Sequence, residues 1–153
     1  MAFRFRFQSL MRYRGHLCST AQTELANAIR RHEHSIQLLE AAREERRKHQ
    51  ETLEDRQRTG ISVVDYVTMA EYLTHMEQQL LRMQREVEQF AQGVLTAKEL
   101  VSRRQTEVKR LECLETNERA DYRKIQNRRE RAQLDESAIV RDARSRRETP
   151  SQD

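Results

Sequence analysis

Between Tyr66 and Leu111 an apolar residue returns at alternating steps of three and four. The positions are Tyr66, Met69, Leu73, Met76, Leu80, Met83, Val87, Phe90, Val94, Ala97, Val101, Arg104, Val108 and Leu111. Thirteen of these fourteen are apolar, against seven of the other thirty-two residues in the window. A spacing that averages 3.5 residues keeps one stripe facing a partner helix, the signature of a left-handed coiled coil. Sustained over more than six repeats, it leaves little room for any other fold. The rest of the chain agrees with it. Of 153 residues 35% are charged and 5% aromatic, with three Gly, one Pro and no Trp. Such a chain has too little apolar material for a thick core and too few glycines for many turns.

A second stripe lies upstream, at Leu10, Tyr13, Leu17, Ala21, Leu25, Ile29, Ile36 and Leu39. It turns polar at Arg43, Arg46 and Gln50 and returns at Leu53. Between the stripes stands Arg58-Thr59-Gly60-Ile61-Ser62. Gly60 suits a helix stop, Ser62 an N-cap, and Asp65 the first turn of the next helix. The expected fold is all-α, a two-helix antiparallel coiled-coil hairpin with a longer second helix. The expected helices run over about 7–58 and 62–145, forming one domain over 1–146, with a disordered tail at 147–153.

Folding the chain about residue 60 pairs positions whose numbers add to about 120. Leu39 then meets Leu80, Ile36 meets Met83, Ile29 meets Phe90, Leu25 meets Val94, and Leu10 lands near Leu111. The two stripes fall into register, which favours a hairpin over a parallel dimer of long helices. At about 1.5 Å per residue Cys18 stands roughly 16 Å from Cys113, too far for a disulfide. The second helix is expected to outrun the first from about residue 113, leaving 113–145 without a partner helix. Spacings such as Glu115–Arg119 and Asp142–Arg146 support that stretch. Its arginines, among them Arg128, Arg129 and Arg131, read either as a solvated face or as contacts to acids or phosphates.

Charge is uneven. Residues 1–60 carry 12 basic and 8 acidic side chains and residues 61–153 carry 17 of each, so the whole excess of +4 belongs to the first part. Mixed charge after residue 60 argues against nucleic acid as a partner. No apolar run is long enough to span a membrane. His32 and His34 point about 200° apart on a helix and cannot share a metal. His32 reads as a polar residue of the stripe. There is no glycine-rich phosphate loop and no nucleophile elbow, so neither an enzyme nor a cofactor is expected.

Two places invite a partner. Near the turn Tyr66, Met69, Leu73 and Met76 face Arg43, Arg46 and Gln50. Either the long Arg and Gln stems cover the stripe, or methionines and tyrosines stay available. At the start, Phe3, Phe5 and Phe7 alternate with Arg4 and Arg6, a strand-like period. This is either a frayed basic tail or an anchor that inserts aromatic and cationic groups into a protein cavity.

Three stretches resemble the flagellar export FliJ family and, more distantly, its type III secretion counterparts. They are Phe3-Arg-Phe-Arg-Phe-Gln-Ser-Leu-Met-Arg-Tyr-Arg14; Gly60-Ile61 followed by Tyr66 and Tyr72; and Lys109 to Ala138, with Lys109-Arg-Leu-Glu-Cys-Leu-Glu-Thr-Asn-Glu118 and Leu134-Asp135-Glu136. The resemblance implies a non-enzymatic antiparallel coiled coil, similar to the central stalk of rotary ATPases. The partners it implies are the hexameric export ATPase FliI, the cytoplasmic linker of the gate protein FlhA, and substrate chaperones. It also implies a cytoplasmic place, peripherally associated with the membrane through the export apparatus. By the same resemblance Phe3, Arg4, Phe5, Arg6 and Arg12 face the ATPase ring, and Tyr72, Met76, Gln79 and Met83 face the gate. On the first helix Ala42, Glu45 and His49 stand where better-known members carry apolar and aromatic contacts.

Overall fold

The computed structural model describes residues 3–148. Two helices make up nearly all of it: α1, Gln8–Thr59, and α2, Val63–Glu148, of 52 and 86 residues. They pack against each other as an all-α two-helix hairpin, the second helix being the longer. Of the tail expected at 147–153, residues 147 and 148 continue α2, and the remainder lies outside the described residues.

Local chemistry accounts for the turn. Gly60 has φ +111°, a backbone conformation that a side chain disfavours. Its N–H donates to the Arg56 carbonyl at 2.9 Å and so closes the end of α1. Arg56 and Arg58 place positive charge at that carbonyl end. Ser62 caps α2, its Oγ accepting from the Asp65 N–H at 3.1 Å. Asp65 is the acid in the first turn of α2, where the helix dipole favours it.

The chain divides into two compact units. Residues 15–105 form the first, which contains the turn. Leu53, Leu73 and Met76 are its tightest cluster, with Ile61 and Met69 packed against them. Along the same unit Ala21, Leu39, Val94 and Val101 are buried. Every stripe residue of α2 from Met69 to Arg104 is buried or half-buried, whereas Tyr66 is exposed. Among the described residues no large side chain is completely buried, because two helices enclose a line and not a volume.

Across this unit Arg46 bonds to Glu77, and the rings of His49 and Tyr72 stand 5.1 Å apart. Both pairs add to slightly more than the expected 120, so the register is near the anticipated one. The buried polar residue of α1 is Ser35, next to the stripe position Ile36; its hydroxyl donates to the His32 carbonyl at 2.7 Å, and His32 itself is half-buried. That local acceptor is what lets a hydroxyl sit there.

The second unit joins the first fourteen residues to those from Thr106 onward, and is described over 3–14 and 106–148. Arg14 bonds to Glu107 at 2.9 Å, both side chains about one-third exposed. Leu10 and Tyr13, which keep the apolar spacing, are 40% and 58% exposed. Phe5, 4% exposed, supplies the buried apolar group at this end, and Met11 and Arg14 turn partly inward instead. Cys18 is half-buried and Cys113 exposed; both are free thiols.

Candidate functional site

The N-terminal segment is not frayed: it folds against α2. The Phe3 ring meets Tyr122 at 5.7 Å and an interplanar angle of 54°. The guanidinium carbon of Arg119 lies 5.4 Å from the centre of the same ring. Phe5 and Phe7 meet edge to face at 5.8 Å, and the Arg6 guanidinium lies 4.5 Å over Phe7. The Phe5 carbonyl accepts from Gln8 at 3.3 Å and the Phe7 carbonyl from Met11 at 2.9 Å, which leads the segment directly into α1.

Alternation therefore has a simple result. Phe3 turns toward α2, Phe5 is buried and Phe7 half-buried, while Arg4 and Arg6 between them, and Arg12, are exposed. Phe3 and Phe5 are packed within the chain, where burying the rings carries no cost in association entropy. Glu115, Glu118 and Tyr122 are half-buried, so part of the stretch expected to lack a partner is lined by this segment. Beside it lies a hollow of about 290 Å³ lined by Phe3, Arg4, Gln8, Arg12, Glu115 and Arg119, among others. Arg119 is held by Glu115 at 2.7 Å, the i,i+4 pair expected from spacing. No acid occupies the first turn of α1, which leaves the exposed arginines as the dominant local charge.

The turn-proximal residues fare differently from one another. Met76 is 6% exposed and belongs to the core, so at this position the stripe is covered, one of the two outcomes its pattern allowed. Arg46 provides the cover: its stem is half-buried and its guanidinium crosses to Glu77. Its Nε is buried without a hydrogen-bond partner. Gln50 is half-buried too, donating to Glu54 at 3.0 Å. Tyr72 is 45% exposed and stands edge-on to His49, at 77° between the rings. The two rings, with Thr68, Met69 and Leu73, border a hollow of about 260 Å³. Gln79 is exposed and Met83 half-buried, the latter bordering a different hollow with Leu38.

Sequence reasoning passed over Val63, Val64 and Val67. They lie in the first turns of α2 and are exposed, Val63 to 79%. The signal was present: three β-branched residues that miss the three-four step have no seam to enter. It also passed over Arg47, which bonds to Glu44 and Glu51 on its own helix. The hydrogen bond from Arg47 holds the Glu44 carboxyl below the usual carboxylate range, and Glu44 in turn raises Arg47. Among the described residues, no group of three or more His, Cys, Asp or Glu side chains gathers around a metal-sized site.

The family model described as flagellar FliJ protein matches residues 3–147. The chain belongs to the FliJ family. Comparison with curated proteins and with solved structures returns no match. Membership in the FliJ family connects the chain with flagellar protein export, as a non-enzymatic component. Among the described residues no helix is long and apolar enough to cross a membrane.

Proposed function

We propose that this FliJ-family chain is a stalk-like coupling component of flagellar export, which binds the export ATPase ring through its terminal end and the export gate near its turn. The observation that carries the reading is the set of outward arginines, Arg4, Arg6 and Arg12, held in place by phenylalanines folded inward. A docked segment presents its charges at little further entropic cost, which favours association with an acidic surface. The phenylalanines act on the ring indirectly, by positioning these arginines. At the gate-facing end the accessible groups are Tyr72 and Gln79, with Met83 half-buried and Met76 supporting them from the core. Substrate chaperones are the third partner class in this reading.

Co-purification with a hexameric export ATPase, and stimulation of its turnover, is the test. Replacing Arg4, Arg6 and Arg12 together by Glu should abolish stimulation while leaving helical circular dichroism unchanged. Stimulation that survives the triple reversal removes those arginines from the ring contact. For the gate, Tyr72→Ala with Gln79→Ala should weaken capture of the gate protein's cytoplasmic linker; undiminished capture removes that surface.

A further inference from the structure

Two unsatisfied faces of this molecule match each other. One is a groove on the unit formed by residues 15–105, where two hollows of about 160 and 560 Å³ share Arg31 and Phe90 as lining. Leu38 and Met83 border one end of it, and Leu100 borders the other. Between them the walls are low, made by Ala28, Gly93 and Ala97. Glu24 lies on the rim, seven residues before Arg31.

The other face belongs to distal α2. Every residue from 127 to 146 is exposed, as is Ile125. Ile125, Ala132 and Ile139 follow one another at intervals of seven and form an apolar stripe along it. Arg129 and Glu136 stand within that stripe, also seven apart. Among the described residues none of Glu24, Arg31, Arg129 and Glu136 takes part in an ion pair. Opposite charges set at fixed positions along an apolar stripe give that face a polarity that a complementary partner can match.

We propose that distal α2 of a second copy of this chain lies in the groove, running parallel to α1. The charges set the direction. Residues seven apart on a helix are separated by about 10.5 Å along its axis and share a face. With the segment parallel to α1, Arg129 meets Glu24 and Glu136 meets Arg31. Reversed, the same pairs bring acid to acid and base to base, which the interface rejects. The apolar groups then follow without adjustment. Ala132 falls where Ala28 and Gly93 allow close approach, Ile125 lies beside Leu100, and Ile139 lies toward Leu38 and Met83. The occupant supplies the third helix that a two-helix groove lacks. This contact does not rest on the export role and stands or falls without it.

Sedimentation of the full-length chain over a concentration series, with reductant to keep Cys113 a thiol, tests it. The wild type should self-associate reversibly. Arg31→Glu alone and Glu136→Arg alone should each weaken association at least tenfold. An equimolar mixture of those two variants should associate again, because the altered groove of one accepts the altered helix of the other. Unchanged circular dichroism of each variant separates lost association from lost folding. A wild type that stays monomeric up to about millimolar concentration overturns the proposal. So does self-association that ignores either reversal, or a mixture that fails to recover.

Discussion

Arg119 lies over Phe3, its guanidinium carbon 5.4 Å from the ring centre, while Glu115 holds the same guanidinium at 2.7 Å. One arginine thus connects the start of the chain to α2 by a cation–π contact and stays neutralised. Beneath it Phe5 is the buried residue of this end. Phe5→Ala should release the backbone of residues 3–7 so that trypsin can cut after the already exposed Arg4 and Arg6, raising early cleavage several-fold. Because the segment is short and held by few side chains, it undocks locally, and the melting temperature should fall by only a few degrees. A cleavage rate equal to that of the wild type would contradict the docking.

The turn-proximal cluster is where truncation should cost most. Leu53→Ala removes a side chain 5% exposed and packed with Leu73 and Met76, for about 2–3 kcal/mol. Leu81→Ala, at a position 55% exposed, should stay within about 0.5 kcal/mol. Urea unfolding of the two variants side by side measures the contrast.

Two glycines should respond in opposite directions. Gly60→Ala forces a side chain onto φ +111° and should destabilise by about 1–2 kcal/mol. Gly93 lies within α2, and a Cβ there meets nothing within 4 Å. Gly93→Ala should therefore stabilise the isolated chain by about 1 kcal/mol through helix propensity. Thermal melts at low protein concentration distinguish the signs.

The carboxyl of Glu44 should titrate below its ordinary value, because Arg47 donates a hydrogen bond to it. A folded-state pKa lowered below the unfolded value favours folding at pH above the unfolded pKa. That contribution disappears as pH falls through the folded pKa, and full exposure keeps it small. Carboxyl NMR titration of the wild type and of Arg47→Ala checks this: the Glu44 midpoint should rise in the variant.

Much of the hairpin was legible because its information is one-dimensional. A step of three and four names the inward face of α2 without knowledge of anything distant, and thirteen of its fourteen positions are inward. Gly60 and Ser62 are equally local, acting through φ and a cap. Leu10 and Tyr13 were misread because they keep the periodicity while Phe5, in a segment with no helical period, occupies the end of the core. The same holds for Phe3, whose partner Tyr122 is found only by folding the chain. Near the turn, pattern alone left two outcomes for the stripe. The reach of Arg46 to Glu77 decides it, and the length of a side chain is not written in a periodicity.

The pairing of Phe3 with Tyr122 has a bearing on timing. Contacts beside Gly60 close short loops, and each step away from the turn joins residues two further apart in sequence. Closure entropy rises only slowly with loop length, so zipping outward from the turn is the inexpensive route. Residues 3–7, synthesised before the helices of the hairpin, are thus placed after them. Their arginines acquire a fixed orientation only when the rest of the hairpin is already complete.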